Sequence, residues 1–156
     1  MKVQDIMTKQ VASCTPDTNL SAAAMLMWNS DCGVIPVVSA EAKTTGVITD
    51  RDICMAVATK HRKAEEITVG EVMTGQLQCC SPKDTVKTAL ELMRTHKIRR
   101  LPVVDAEGKL QGVLSINDVV LVATDVKGKD APSYEEIART FKSICEHQVG
   151  ITAAAA

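Results

Sequence analysis

The sequence predicts an α+β fold in which two β-α-β-β-α units pack about a pseudo-twofold axis and a C-terminal helix follows. Three observations predict it. The chain matches itself without gaps at an offset of 66 residues, Val3 to Thr59 falling on Val69 to Asp125 with about a third of the aligned positions identical. Within each copy, apolar residues recur first at helical spacing and then in short β-rich runs. The core must be aliphatic, because hydrophobic residues make up 46% of the 156 positions and aromatics only 2%. A chain of this length buries roughly 70% of its unfolded surface and needs no disulfide or metal staple.

The elements follow in order. Cys14 and Cys80 occupy equivalent places on short apolar strands. Thr15-Pro16-Asp17-Thr18 and Ser81-Pro82-Lys83-Asp84 are helix-entry signals. Behind them, Leu20, Ala23, Ala24 and Met27 in one copy, and Val86, Ala89, Leu90 and Met93 in the other, form the stripe of a first amphipathic helix. Strands are predicted over Val34–Val38 with Gly46–Thr49, and over Leu101–Val104 with Gly112–Ser115, each pair making a hairpin. Gly108 supplies the positive φ that the second turn wants; the first copy has Ala42 there and must turn differently or under strain. A second helix runs from Asp50 to about Thr59, and from Ile116 to about Thr124.

One such unit cannot cover both faces of its small sheet, so the pair is the folding unit. Between the copies, Lys60 to Glu66 reads as a charged, solvated linker. After a second linker, Val126 to Pro132, the run Ser133-Tyr134-Glu135-Glu136 has the form of a capping box. The helix it starts carries an apolar stripe of Tyr134, Ile137, Phe141 and Ile144, which must dock on the repeat pair or on a second copy of the chain. The tail ending in four alanines is expected to fray.

Eighteen basic against nineteen acidic residues leave a net charge of -1, which removes any global field toward nucleic acid or anionic lipid. The N-terminus lacks the apolar region of a signal peptide, and no apolar run approaches the ~20 residues that span a bilayer. A cytoplasmic protein is expected, with no nucleic-acid or membrane partner. The six cysteines include no C-x-x-C and the three histidines are scattered, so neither a zinc motif nor a disulfide framework is visible. No G-x-S-x-G or P-loop occurs and no catalytic constellation stands out, so no enzyme is expected.

Four motifs recur in order at the one offset: Val3-Gln4-Asp5-Ile6-Met7-Thr8 with Val69-Gly70-Glu71-Val72-Met73-Thr74, the Thr15-Pro16 and Ser81-Pro82 steps, Ile35-Pro36-Val37-Val38 with Leu101-Pro102-Val103-Val104, and Gly46 to Asp52 with Gly112 to Asp118. Through them the chain resembles a pair of CBS domains, named for cystathionine β-synthase and also called a Bateman module, over nearly all of residues 1–125. The units implied are 1–66, including the charged linker, and 67–125, with 126–156 holding linker, helix and tail.

The resemblance implies a stand-alone regulatory module that binds an adenosine-containing ligand between its units: AMP, ADP or ATP, with S-adenosylmethionine or NAD as alternatives, and no required cofactor. It also implies a homodimer and an unidentified target protein. In such sites a hydroxyl and a carboxylate of the Gly-x-x-Thr/Ser-x-x-Asp motif hold the ribose, which here points to Thr49 with Asp52 and to Ser115 with Asp118. Both pairs also read as capping boxes that need no ligand. Thr15, Ser81, Ile35 and Leu101 match the positions lining the adenine slot; core and strand-edge packing is their other reading.

Arg99 and Arg100, after His96-Lys97-Ile98, match positions that some relatives use against phosphate. Ser30 to Val34 carry no basic charge, so the clefts are expected to differ, with the phosphate-competent site in the second copy beside Asp118. Arg51 is a further candidate near the first cleft, or a solvated residue in a helical first turn. Two other functions stay open: a ligand-free structural dimerisation or protein-interaction module, and a thiol redox sensor using Cys79, Cys80 or Cys32. Cys14 and Cys80 read most simply as small buried hydrophobes.

Overall fold

The computed structural model describes residues 1–124 and 131–146. Each repeat forms a helix, a β-hairpin and a second helix: α1 (Leu20–Asn29), β1 (Val34–Val38), β2 (Thr44–Thr49) and α2 (Asp50–Lys60), then α3 (Val86–His96), β3 (Arg100–Val104), β4 (Leu110–Ser115) and α4 (Ile116–Leu121), followed by α5 (Tyr134–Cys145). The leading strand of each unit is reduced to one bridging residue. Cys14 pairs in parallel with Val37, and Cys80 with Val103.

Local chemistry sets the element ends. The Thr-Pro and Ser-Pro steps form turns, closed by Thr18 N–H on the Thr15 carbonyl and Asp84 N–H on the Ser81 carbonyl, rather than starting the helices themselves. The caps are one turn later: Asn19 Oδ1 accepts from Ala22 N–H at 2.8 Å, and Thr85 Oγ1 from Thr88 N–H at 3.1 Å. Strands β2 and β4 begin two residues earlier than their glycines, because a bulge after Val37 and after Val103 lets Val38 pair with Thr44 and Val104 with Leu110. In the turns, Gly108 has φ 81° and Ala42 has φ 60°, so the first copy makes the same turn with a non-glycine residue in the left-handed region.

The opening segments cross between units. Val3 is wholly buried in the core that also holds Leu90, Met93, Leu101 and Leu114 of the second repeat. Its repeat mate Val69 is wholly buried with Leu20, Ile35 and Ile48 of the first. Backbone bonds fix both crossings: Val3 N–H donates to the Asp84 carbonyl and Val69 N–H to the Thr18 carbonyl. Further along, Thr8 bridges Val113 and Thr74 bridges Val47. Gly46 is required there, since a Cβ on it would come within 2.6 Å of the Thr74 carbonyl oxygen.

Two expectations at the chain's joints change. In the Lys60–Glu66 connection, Arg62 is tied to Glu71 by a 2.7 Å ion pair and donates to the Glu66 carbonyl, so the linker is anchored at that side chain. Helix α4 stops at Leu121, and Thr124 N–H bonds the Pro132 carbonyl, turning the chain toward α5.

Helix α5 starts at the predicted capping box, Ser133 N–H donating to Glu136 Oε2 at 3.0 Å and Glu136 N–H to Ser133 Oγ at 3.2 Å. It docks in cis, across α3 and α4 of the second unit. Ile137, Phe141 and Ile144 of its stripe pack on that unit's core, whereas Tyr134 is half exposed. Thr140 is fully buried instead and satisfies its hydroxyl on the Glu136 carbonyl at 2.8 Å. The chain's alanine tail lies outside the described residues, as does most of the second linker.

Candidate functional site

Where each hairpin hands over to its second helix, the motif residues close a capping box. Thr49 donates to Asp52 Oδ2 through both N–H (2.9 Å) and Oγ1 (2.7 Å), and Asp52 N–H returns to Thr49 Oγ1 at 3.1 Å. In the second unit Ser115 N–H donates to Asp118 Oδ2 at 2.7 Å, while Ser115 Oγ accepts from Asn117 N–H at 3.0 Å. The capping reading of these motifs is therefore real. It engages one oxygen of each carboxylate; among the described residues Oδ1 of Asp52 and of Asp118 takes no hydrogen bond and is free to accept from a ligand.

Each motif lines a cavity between the units. The first, of 330 Å³, has Thr49 and Asp52 on one side and Lys97, Arg99 and Arg100 on the other. The second, of 280 Å³, has Ser115 and Asp118 facing Ser30, Asp31 and Cys32. Because the units face each other across the pseudo-axis, each hairpin motif looks at the helix-to-strand connection of the opposite copy. The basic stretch of the second copy thus serves the cavity of Asp52 and not that of Asp118, reversing the pairing expected from adjacency in sequence.

Of the eleven predicted residues, Thr49, Asp52, Ser115, Asp118, Arg99 and Arg100 reach these walls. Ile35 and Leu101 are wholly buried in the two cores. Thr15 and Ser81 are occupied in their turns, Thr15 N–H bonding Thr18 Oγ1 and Ser81 N–H bonding Asp84 Oδ2. Arg51 is exposed and lines neither cavity. Walls missed from the sequence include Gln76, Gln78 and Gln10, which follow the bridging residues Thr74 and Thr8 of the crossing segments. Their signal was present: Gln10 and Gln76 are identical at the repeat offset.

A CBS-domain family model matches residues 3–59 and 69–125. The chain belongs to the CBS-domain family. It is 37% identical over 119 residues to the CBS domain-containing protein YhcV of Bacillus subtilis (strain 168), covering 76% of this chain and 83% of that protein. Among solved structures, CBSX2 in complex with AMP is similar with a TM-score of 0.67 at 28% identity, covering 77% of this chain and 93% of that one. The CBS domain pair of protein MJ0100, in complex with 5'-methylthioadenosine and S-adenosyl-L-methionine, is similar with a TM-score of 0.70 at 25% identity, covering 78% and 98%.

Thiols in this CBS pair are not poised for redox chemistry at the repeat positions. Burial, with the Asp84 carboxylate as a smaller contribution, pushes the Cys80 thiol up to about 12 and raises Cys79; burial alone raises Cys14. A thiol held protonated is a poor nucleophile toward oxidants. Among the described residues no three His, Cys, Asp or Glu side chains converge on a metal site, and no helix is long and apolar enough to cross a membrane.

Proposed function

We propose that this CBS pair is a regulatory module that binds an adenine nucleotide of the AMP, ADP or ATP class in the cavity of Thr49 and Asp52. The observation that carries the reading is the meeting, in one 330 Å³ space, of a carboxylate with an open oxygen and three cations, Lys97, Arg99 and Arg100. Asp52 accepts from the ribose hydroxyls, and the cations take the phosphates, Arg through paired N–H donors. Gln76 and Gln78, each with an amide donor and acceptor, stand on the same walls and supply hydrogen bonds to a base edge. The cavity volume lies at the small end of ligand sites, about 300–1,000 Å³, and suits a mononucleotide better than a dinucleotide. Relatives with the same fold, CBSX2 and the MJ0100 pair, are described in complex with AMP and with 5'-methylthioadenosine and S-adenosyl-L-methionine respectively.

Output follows from differential fit: a ligand bridging Asp52 of one unit and Arg99 of the other favours one arrangement of the units, and a partner protein reads the shift. Calorimetric titration with AMP, ADP and ATP tests the reading. Saturable binding that weakens tenfold or more in Lys97→Gln/Arg99→Gln and survives in Asp118→Ala supports it; binding that survives the double variant unchanged overturns it.

Association as a homodimer is a second reading, favoured by one observation. Trp28 is 84% exposed, with Met25 and Met55 more than half exposed on neighbouring turns of α1 and α2. At the repeat mates of Met25 and Trp28 the second unit has Glu91 and Arg94 on α3, which packs against α5, whereas Leu121 on α4, the mate of Met55, is itself 84% exposed. A bare apolar face of this kind fits a second copy of the same chain. Light scattering on Trp28→Glu decides: a dimer becoming a monomer supports it, and a monomer in both proteins rules it out.

A further inference from the structure

The two cavities are images of each other at the repeat offset, so each wall position of one can be compared with its mate. Asp52 matches Asp118, Thr49 matches Ser115, and Thr74 matches Thr8. The exchange that matters is at the helix-to-strand connection. Lys97 in the first cavity is matched by Asp31 in the second, and both sit in the left-handed region, at φ 54° and 47°. Arg99, exposed on the first wall, is matched by Gly33, which has no side chain.

Charge on the walls therefore inverts. Around the first cavity stand Lys97, Arg99 and Arg100 against the single carboxylate of Asp52. Around the second stand the carboxylates of Asp31 and Asp118, with Arg100 as its one cation among the described residues. Arg100 is common to both walls, as are Val34, Pro36 and Val113, so the cavities meet at the pseudo-axis and share one guanidinium. A guanidinium committed to a phosphate on one side leaves the other side to its two carboxylates.

We propose that the two cavities are sorted by charge: the Asp118 cavity takes an adenosine derivative without phosphate, cationic or neutral at its 5' substituent, and Arg100 couples its occupancy to that of the phosphate-binding cavity. The proposal rests on the reading of the Asp52 cavity as a nucleotide site. Asp118 receives the ribose as Asp52 does, and the Asp31 carboxylate faces the 5' substituent, attracting a sulfonium or ammonium and repelling phosphate. A phosphorylated ligand in the first cavity draws Arg100 toward it, which removes the cation from the second and strengthens cation binding there. Coupling of this kind is reciprocal.

S-adenosylmethionine and AMP serve as probes. S-adenosylmethionine is titrated calorimetrically into the ligand-stripped protein and into protein saturated with AMP. The proposal expects one S-adenosylmethionine per chain in both titrations, tighter with AMP present, and loss of the AMP effect in Arg100→Gln. Asp31→Lys puts at this position the residue that its mate Lys97 already is, in the same left-handed conformation. It is expected to weaken S-adenosylmethionine tenfold or more and to open a second AMP site. Asp31→Asn, which keeps a residue tolerant of the left-handed region, is expected to weaken it without the second AMP site.

Displacement of S-adenosylmethionine by AMP in a one-site competition, or binding unchanged in both Asp31 variants, overturns the proposal while leaving the nucleotide reading intact. Absence of AMP binding with S-adenosylmethionine binding that depends on Asp31 overturns the nucleotide reading and the coupling but keeps the assignment of the second cavity. No binding of either probe overturns both.

Discussion

Asp52 of the first repeat and Arg99 of the second line the same cavity, whereas Asp118, far nearer to Arg99 in sequence, faces Asp31 across the other. The crossing is a consequence of two units packed face to face: each strand-to-helix corner meets the partner unit's helix-to-strand connection. A ligand held by both walls is held by both units, and this makes the cavity a place where binding alters their relation.

That geometry makes a prediction about charge. Reversing one wall position, Lys97→Asp, gives the first cavity the residue its mate Asp31 provides, and AMP affinity is expected to fall by at least about tenfold, near 1.4 kcal/mol. Equilibrium dialysis at two salt concentrations checks it, since a phosphate contact of this type also loses affinity as salt rises.

Crossed packing makes the units interdependent. Val3→Ala removes a wholly buried side chain from the second unit's core and Val69→Ala from the first, each costing about 2 kcal/mol through lost burial and a residual cavity. Urea denaturation is expected to show a single transition for both variants and for the parent. Two separate transitions, with each variant moving only one of them, would show that the units fold independently.

Helix α5 depends on its cap. Ser133→Ala deletes the acceptor for Glu136 N–H and is expected to cost about 1 kcal/mol in thermal unfolding. Ser133→Asp, which keeps an acceptor and adds negative charge at a helix start, is expected to restore most of it.

Acid should release the linker. The Arg62 guanidinium beside Glu71, helped by the Thr68 N–H, lowers that carboxyl to about 2. A folded value below the unfolded one means that the contribution is complete above the usual carboxylate range, about 4.3, and is lost as pH falls toward 2. A carbon-detected titration of the Glu71 carboxyl is expected to show the low midpoint, and Arg62→Gln to move it upward; a midpoint that Arg62→Gln leaves in place contradicts the pairing.

Thiol labelling separates the redox reading from the others. With Cys14, Cys79 and Cys80 held protonated, iodoacetamide at neutral pH is expected to modify exposed Cys54 and Cys145 first. Rapid labelling of Cys80 in the folded protein would revive the redox sensor.

What was legible in the sequence was local or periodic. The Ser133–Glu136 cap, the left-handed turn at Gly108, the stripe of α3, that of α1 apart from Ala24, which is exposed, and the Thr49–Asp52 and Ser115–Asp118 corners all arise from residues a few positions apart, and the repeat offset tied the copies together. The long-range terms were not legible. Nothing in Val3 or Val69 says which core it enters, and periodicity cannot tell that Thr140, a polar residue, is buried while Tyr134 is half exposed. The site divided the same way: the corner motifs stand out by spacing, but which basic stretch faces which carboxylate depends on how the units pack.

The measurement that bears most directly on the central claim is an amide-resolved NMR titration of the ligand-stripped protein with AMP. The account predicts that substoichiometric AMP shifts the amides of Thr49, Asp52, Lys97 and Arg99 most, with smaller shifts at Asp31 and Asp118 as Arg100 is drawn away from them. First shifts at Asp31, Ser115 and Asp118, with Lys97 and Arg99 unmoved, would contradict it.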